Sequence, residues 1–407
     1  MHPPCKKQFR IAAAVLAAAA VASFAPQAAS ASLAGSLDRA LRVPGVSRAA
    51  TAALVFDLDT SAIVYKIHPG LSLRPASNEK LAVAVAALDE LGPSFRIPTE
   101  VLGEGALLGT TWQGNLVLKG YGDPTLSRGD LTRLVLKLKA AGIMQVSGRV
   151  IADESYFDRR RVGPGWKPSF YKEESPPLSA LVVDRGKVRH RVVDDPALMA
   201  AKAFRARLVE LGVRVSARAV TGVATPEAVP LARVVSAPLA LIVRRMNRDS
   251  DNFVAEVLVK QLGARERGQG TTAAGAAVIL QELVDRGVTT AGVRIVDGSG
   301  LSRGDRFTAR ALAELLISAK SDAVIGPAFV ASLPVAGVNG TLEDRMERPP
   351  ARGTVLAKTG TTSRASTLSG YAGQRYVFSV LMNGSPIPWW RARTGQDRFA
   401  QLLAGAQ

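Results

Sequence analysis

The sequence has little of the side chains on which many enzymes depend. Its 407 residues include one cysteine and three histidines, and aromatic residues make up 5%. The cysteine is Cys5, inside the N-terminal leader described below, so the mature chain offers neither a disulfide nor a cysteine nucleophile. His2 belongs to the same leader, and His68 and His190 lack metal-ligand spacing. We therefore predict no metal site, and the few histidines give little support for a Ser-His-Asp enzyme.

Apolar runs long enough to span a membrane are also lacking. The N-terminus instead has the order of a secretory signal peptide: basic residues, a short apolar run over 11–24, and a small-residue cleavage site at Ala29-Ser30-Ala31. We predict a signal peptide over residues 1–31, cleaved after Ala31, and export to the periplasm or another extracytoplasmic space. The alternative is an uncleaved anchor, which the shortness of the apolar run disfavours.

Acidic residues are few relative to basic ones. The chain has 52 Lys and Arg against 34 Asp and Glu, a formal charge of +18. Such an excess attracts anionic envelope polymers or lipid surfaces. Nucleic-acid binding is the competing interpretation, but the aromatic content is low and no nucleic-acid module is recognisable. We expect no nucleic-acid partner and at most weak contact with a membrane surface or an anionic envelope polymer.

A serine and a lysine stand three residues apart where an apolar helix is predicted to begin, in RPASNEKLAVAVAALDEL. These residues, Ser77 and Lys80, share a helix face. The Lys80 amine can therefore take the Ser77 hydroxyl proton if burial keeps the amine neutral. Alone the pattern is weak, because Ser77 could simply cap the helix, and Ser-x-x-Lys recurs at Ser169 and Lys172.

Two further motifs follow in a fixed order. Ser250-Asp251-Asn252 is the only Ser-x-Asn in the chain, and Lys358-Thr359-Gly360 is the only Lys-Thr-Gly. Taken singly, they could be a polar loop and the end of a strand. Together with Ser-x-x-Lys they form the signature of active-site serine enzymes that recognise penicillin.

Other segments extend this resemblance over most of the chain. They are GYGDPTLS, GPGW, DGSGLSR and LPVAGVNGTLEDRM, which begin at residues 120, 163, 297 and 333. With the three motifs, they resemble the D-alanyl-D-alanine carboxypeptidase/endopeptidases of peptidase family S13, the low-molecular-mass class C penicillin-binding proteins. The resemblance implies a serine-type carboxypeptidase, with or without endopeptidase activity, that acts on peptidoglycan stem peptides ending in D-Ala-D-Ala. It also implies acylation by β-lactam antibiotics and no cofactor.

The resemblance implies an α+β architecture with the penicillin-binding, serine β-lactamase-like transpeptidase fold, in which helices cover an antiparallel sheet. We expect this domain over residues 32–96 and 236–407. The stretch between Ser77 and Ser250 is too long for one loop, so we predict an inserted β-rich domain over 97–235. Longer family members nest a third domain in the insert. Here LVVDRGKVRHRVV leads almost directly into a predicted helix, so we expect the third domain to be absent.

The resemblance also implies the roles of the residues that react. Ser77 would attack the carbonyl between two terminal D-alanines and form an acyl-enzyme, with Lys80 as the base. Ser250 would relay a proton to the leaving amine. Asn252 would hold the substrate amide.

A second group of residues is expected to bind the substrate terminus. Lys358 and Thr359 would bind the terminal carboxylate, and Gly360 would permit close backbone approach. The resemblance places the oxyanion hole at the amides of Ser77 and Thr361.

Two residues are candidates for side-chain selection. Family members that accept a charged stem-peptide side chain use an arginine after Gly-Leu-Ser, which Arg303 matches, and an acidic residue of the insert, for which Asp153 is the candidate. An arginine can hold a carboxylate with two hydrogen bonds, and an aspartate can bind an ammonium. The alternative is an interdomain salt bridge.

Two rival functions remain open at this point. A serine β-lactamase would need a deacylating base such as a Glu-x-x-Leu-Asn loop, and the sequence has none. A non-catalytic peptidoglycan-binding protein would use the basic surface alone, and the intact motifs argue against it.

Overall fold

A computed structural model describes residues 27–188 and 191–407. Most of the predicted signal peptide lies outside this part, as do Cys5, His2 and His190, and the predicted cleavage position falls within the first helix. His68 is exposed, with Nδ1 3.0 Å from the carbonyl oxygen of Thr51. Within the described ranges, no helix has both the length and the apolar content needed to cross a bilayer.

The chain forms its elements in three stretches. The first gives α1 Gln27–Ala40, β1 Thr51–Asp57, β2 Ala62–Ile67 and α2 Glu79–Leu91. The second gives β3 Pro98–Leu108, β4 Thr111–Gly120, α3 Arg128–Ala140, β5 Gln145–Val146, β6 Val150–Asp153, β7 Lys187–Val188, β8 Arg191–Val192, α4 Pro196–Glu210, β9 Arg214–Val215, β10 Val220–Thr221 and β11 Val229–Val235. The third gives α5 Leu239–Arg248, α6 Asn252–Arg267, α7 Thr272–Asp285, α8 Ala309–Ser321, α9 Gly326–Ser332, β12 Val355–Thr362, β13 Ala365–Ala372, β14 Tyr376–Asn383 and α10 Trp389–Ala404.

Strands from both ends of the chain form one antiparallel sheet, in the order β12-β13-β14-β1-β2. All eight residues of β13 and of β14 are buried, because helices cover both faces of the sheet. Helix α8 packs on one face, while α1 and α10 lie on the other. The sheet therefore has a core on each side and an edge strand, β12, that carries Lys358.

Helix α2 lies at the centre of the helical layer. Its residues Glu79 to Leu88 are all buried, which is the pattern of a helix surrounded by other elements. It contacts α5, α6, α7, α8 and α9, and it ends at Gly92, whose φ of 84° suits glycine. Each fully buried leucine or valine contributes about 1.5–3 kcal/mol. This packing gives the residues at the start of α2 a rigid support.

A second sheet of seven strands lies in the middle of the chain. Its order is β10-β6-β4-β3-β11, with β5 paired to β4 and β9. Helices α3 and α4 pack on it around a separate apolar core. Helix α3 begins with a capping box between Ser127 and Asp130, and a short hairpin, β7–β8, precedes α4. The predicted α+β fold, with an antiparallel sheet, covering helices and an additional sheet, is confirmed.

Candidate active site

Ser77 sits in a tight turn at the start of α2. Residues 76–78 form one turn of 3-10 helix, and the α-helix itself begins at Glu79, so Ser77 lies directly before the helix, near whose first turn the sequence predicted it. Ala76 has a φ of 46°, a left-handed conformation that is unfavourable for alanine. The turn is thus held in a strained form beside the serine.

Lys80 is fully buried and points at Ser77. Its Nζ lies 3.0 Å from Ser77 Oγ, 2.8 Å from Asn252 Oδ1 and 2.6 Å from the carbonyl oxygen of Ser299. Burial lowers the pKa of Lys80 to about 8, although carboxylates around it, first among them Asp297 and Glu256, act to raise it. The amine is therefore neutral in a minority of molecules near neutral pH, and in about half of them near pH 8.

The second motif lies between α5 and α6. Ser250 has a φ of 55°, which is again a strained left-handed conformation. Asp251 caps α6 by accepting from the Val254 amide (3.1 Å). Asn252 opens the helix and accepts from Lys80, so the second motif is hydrogen-bonded directly to the first.

The third motif lies on the edge strand β12. Lys358 is fully buried, and its Nζ donates to Ser250 Oγ and to the Thr359 carbonyl, both at 2.9 Å. Burial, and then the charge of Lys80, lower the pKa of Lys358 well below that of a free lysine. Thr359 Oγ1 donates to Thr341 (2.8 Å), and Thr361 Oγ1 accepts from Arg393 (3.1 Å).

Gly360 is required by close backbone contact. A Cβ at this position would lie 2.2 Å from Thr367 Oγ1, 2.9 Å from the Pro75 carbonyl oxygen and 3.0 Å from the Ser77 amide nitrogen. Only glycine lets β12 approach the Ser77 turn this closely. The structure thus brings the three motifs together: Lys80 is hydrogen-bonded to Ser77 and Asn252, Lys358 is hydrogen-bonded to Ser250, and Thr359 to Thr361 lie along the same edge strand.

The two predicted selectivity residues lie in different surroundings. Arg303 is exposed and lines a small cleft with Arg74, Lys167 and Arg364. Asp153 is fully buried; its carboxylate accepts from the Ser155 and Ala224 amides and pairs with Lys119 at 3.3 Å. These Asp153 partners all lie in the middle stretch of the chain, and none belongs to the three motifs.

The repeated Ser-x-x-Lys has a separate location. Ser169 lies in a 3-10 turn over Pro168–Phe170, and Lys172 pairs with the exposed Asp194 at 2.6 Å. The repeat thus has its own surface ion pair. Among the described residues, no cluster of His, Cys, Asp or Glu could hold a metal ion.

The sequence did not predict that the middle stretch contacts the centre. Arg185 forms a bidentate ion pair with Asp251, and Trp166 Nε1 donates to Asp297 (2.6 Å). The Asn252 amide donates to the carbonyl oxygen of Glu174 (3.0 Å). The only signal was the GPGW segment, which was recognised by resemblance and not by its contacts.

Together these features define a serine peptidase of the penicillin-recognising class: a buried, deprotonatable lysine beside a serine, a Ser-Asp-Asn loop and a Lys-Thr-Gly edge strand. The model of the D-Ala-D-Ala carboxypeptidase 3 (S13) family matches residues 33–195 and 189–405. The chain belongs to this family, and the resemblance found in the sequence is confirmed.

Known relatives agree with this assignment. The chain is 32% identical to a D-alanyl-D-alanine carboxypeptidase of Actinomadura sp. (strain R39), over 90% of this chain and 84% of that one. Its fold is similar to that of penicillin binding protein 4 from Haemophilus influenzae, with a TM-score of 0.80 and 20% identity over 89% of this chain and 98% of that one. The same protein complexed with a β-lactam is matched with a TM-score of 0.74, again at 20% identity over 89% of this chain and 98% of that one.

Proposed function

We propose that this protein hydrolyses the terminal D-Ala-D-Ala bond of peptidoglycan stem peptides through an acyl-enzyme on Ser77. The observation that carries the proposal is the contact between the buried Lys80 amine and Ser77 Oγ, at 3.0 Å. Lys80 removes the hydroxyl proton as Oγ attacks the carbonyl carbon. The amides of Ser77 and Thr361 stabilise the oxyanion that forms.

The leaving D-alanine needs a proton as its C–N bond breaks. Because Lys358 already donates to Ser250 Oγ, the Ser250 hydroxyl proton is free to pass to the leaving nitrogen. Ser250 is replenished from the proton that Lys80 took, and Asn252 holds the substrate amide. Water then attacks the ester, which releases the shortened peptide and restores Ser77.

The substrate carboxylate binds at the third motif. Lys358 and Thr359 hold it, and Gly360 keeps the strand close to Ser77. A bound carboxylate favours the protonated form of Lys358, which offsets the effect of burial on its pKa.

Covalent labelling tests the proposal. A labelled penicillin should attach to the wild type and not to Ser77→Ala, while Ser169→Ala, in the other Ser-x-x-Lys, should label normally. A folded wild type that takes no label would support a non-catalytic peptidoglycan-binding protein instead.

Arg303 supports a preference for an anionic stem-peptide side chain. It shares its cleft with Arg74 and Arg364, and no ion pair to an acidic residue involves any of the three in the part of the chain that the structure describes. Burial, followed by the charges of Arg306, Arg364 and Arg303, lowers the pKa of Arg74. Such a group of unneutralised cations favours binding of a carboxylate.

Arg303→Ala should therefore impair turnover of a peptide with a charged side chain more than that of a simple acyl-D-Ala-D-Ala peptide. Equal losses on both substrates would make Arg303 a structural residue. For Asp153, the proposed contact with a substrate ammonium would require displacement of Lys119.

The cellular setting is part of the same proposal. The basic composition and the predicted signal peptide support export to the periplasm or another extracytoplasmic space, where peptidoglycan and β-lactams are found. Detection of the mature N-terminus in a secreted fraction, beginning after Ala31, would test both the export and the cleavage position.

A further inference from the structure

The Lys80 amine has a partner that none of the three motifs supplies. The Ser299 carbonyl oxygen is its shortest contact, at 2.6 Å. A neutral lysine amine has two N–H donors and one lone pair. Ser299 O and Asn252 Oδ1 can only accept, so they take both N–H groups. The lone pair then faces Ser77 Oγ, as a general base requires.

The Ser299 peptide is itself held by a buried carboxyl group. Glu256 Oε1 accepts from the Gly298 amide (2.9 Å) and the Ser299 amide (2.8 Å). Glu256 is fully buried on α6, one turn beyond Asn252, and residues four apart share a helix face. One helix therefore supports both acceptors of the Lys80 amine.

The loop that carries Ser299 is wedged between α6 and the Ser77 turn. A Cβ on Gly298 would lie 2.4 Å from Val259 Cγ2, and a Cβ on Gly300 would lie 1.9 Å from the Ala76 carbonyl oxygen. The two glycines let the loop touch α6 on one side and the turn on the other. A change at Glu256 would thus be transmitted to Lys80 over a short, closely packed path.

Only one of the two oxygens of the Glu256 carboxyl group is hydrogen-bonded to a described residue. Its Oε2 is buried, and none of the described residues is its partner. A buried polar atom without a partner costs folding free energy, so packing stability alone is a poor reason for a carboxyl group at this place.

We propose that Glu256 is a positioning residue for the Ser77–Lys80 pair: its carboxyl group fixes the backbone amides of Gly298 and Ser299, and the Ser299 carbonyl held in this way turns the Lys80 lone pair toward Ser77. Glu256 acts through Ser299 and contacts neither the nucleophile nor the base. The inference rests on the proposed function, in which Lys80 is the base.

The charge of Glu256 also bears on Lys80. Burial, followed by the charge of Asp297, raises the pKa of Glu256 to about 8, the region in which Lys80 titrates. An ionised Glu256 favours the proton on Lys80, so the two groups titrate together. The other ionisable groups around them are Glu79, Asp251, Asp297, Lys260, Asp305 and Lys358.

Two substitutions separate geometry from charge. Glu256→Gln keeps an oxygen acceptor for the two amides but removes the charge, whereas Glu256→Ala removes both. Glu282→Gln is the matched control, because Glu282, on α7 away from the motifs, is also a buried carboxyl with a raised pKa, about 7, and it pairs with Arg286 at the end of that helix. The rate constant of acylation by a labelled penicillin is measured over a pH range that brackets 8, with thermal unfolding as a check of folding.

We expect Glu256→Ala to acylate about 10²-fold more slowly at every pH, the cost of a misplaced catalytic group. Glu256→Gln should recover most of this rate, and its rate should rise with pH at a lower midpoint than in the wild type. Glu282→Gln should match the wild type in both rate and midpoint.

Other outcomes overturn the inference. The first is a folded Glu256→Ala that acylates at the wild-type rate. The second is a Glu256→Gln that acylates as slowly as Glu256→Ala and whose rate rises with pH at the same midpoint as in the wild type. If Glu256→Ala does not fold, the midpoint of Glu256→Gln decides alone. Failure of the wild type to label would instead contradict the proposed function, so the two failures are distinguishable.

Discussion

At Lys80, burial and nearby charge act in opposite directions on the pKa. Loss of water disfavours the ammonium, while the carboxylates of Asp297 and Glu256 favour it. Burial has the larger effect, and the pKa falls to about 8. A lysine in this state can take a proton from Ser77 and give it up again within one catalytic cycle.

Replacement of Lys80 tests this role. Lys80→Ala should fold, because it removes a buried amine from a helix, but its acylation by penicillin should fall by about 10²–10⁴-fold, the contribution of a positioned base. The control is Lys172→Ala, at the lysine of the other Ser-x-x-Lys, which should acylate normally. Near-normal acylation by Lys80→Ala would remove Lys80 from the mechanism.

The rate should also depend on pH in a defined direction. Below about 8 most Lys80 side chains are protonated and cannot act as a base. Acylation should therefore rise as the pH rises through about 8 and level off above it. Stopped-flow measurement of acylation by a chromogenic β-lactam would show this rise in rate. A rate that falls over the same range would mean that the protonated amine is the active form.

At the scale of elements, the approach of β12 to the Ser77 turn sets the width of the site. Gly360→Ala would place a Cβ within 3.0 Å of the Ser77 amide and 2.9 Å of the Pro75 carbonyl oxygen. The strand or the turn must move, so acylation should fall by about 10²-fold, with a loss of about 1–3 kcal/mol in unfolding free energy.

Gly70→Ala is the control for Gly360→Ala, since nothing lies within 4 Å of its added Cβ. Both proteins are compared by penicillin labelling and thermal unfolding. If Gly360→Ala acylates as fast as Gly70→Ala, the close approach of β12 is not needed for catalysis.

The elements that the sequence predicted best are those with local signals. The apolar run after Lys80 predicted α2. The sequence predicted Ser77 at or near the first turn of this helix, and the structure places it in a 3-10 turn directly before the helix, where Ala76 has a left-handed conformation that residue preferences do not reveal.

Contacts between distant segments could not be predicted in the same way. Glu256 and Ser299 are 43 residues apart, and Glu256 lies in a segment, NFVAEVLVK, that gives it no distinguishing mark. The family and fold followed from the three motifs, and both are confirmed. The support around Lys80 depends on tertiary packing, which one sequence does not show.

In the whole molecule, the middle stretch of the chain contacts the candidate active site directly. Arg185, at 25% side-chain exposure, pairs with the nearly buried Asp251, and its guanidinium lies over the Phe253 ring at 5.3 Å. Burial alone would raise the pKa of Asp251, but the hydrogen bonds and charge of Arg185 lower it. The Arg185–Asp251 ion pair and the Trp166–Asp297 hydrogen bond thus fix the two loops that contact Lys80 through Asn252 and Ser299.

The groups around Ser77 also determine how long a penicillin adduct should last. In the proposed mechanism Ser77 opens the β-lactam ring, but the amine that leaves remains tethered to the acyl group and blocks the approach of water. A β-lactamase overcomes this with a second base that activates water. Glu174 is the carboxylate beside Asn252, with Oε2 3.4 Å from the side-chain nitrogen of Asn252. Its side chain is exposed, and it belongs to the middle stretch of the chain and not to the Ser77 turn.

We therefore expect the penicillin adduct to be long-lived. Mass spectrometry after mixing with one equivalent of benzylpenicillin should show a persistent adduct on the peptide that contains Ser77, and Glu174→Gln should leave its lifetime unchanged. Rapid loss of the adduct with many turnovers of hydrolysed drug would restore the β-lactamase alternative. If Glu174→Gln lost that turnover, Glu174 would be the deacylating base, because a glutamine side chain cannot take a proton from water as a carboxylate can.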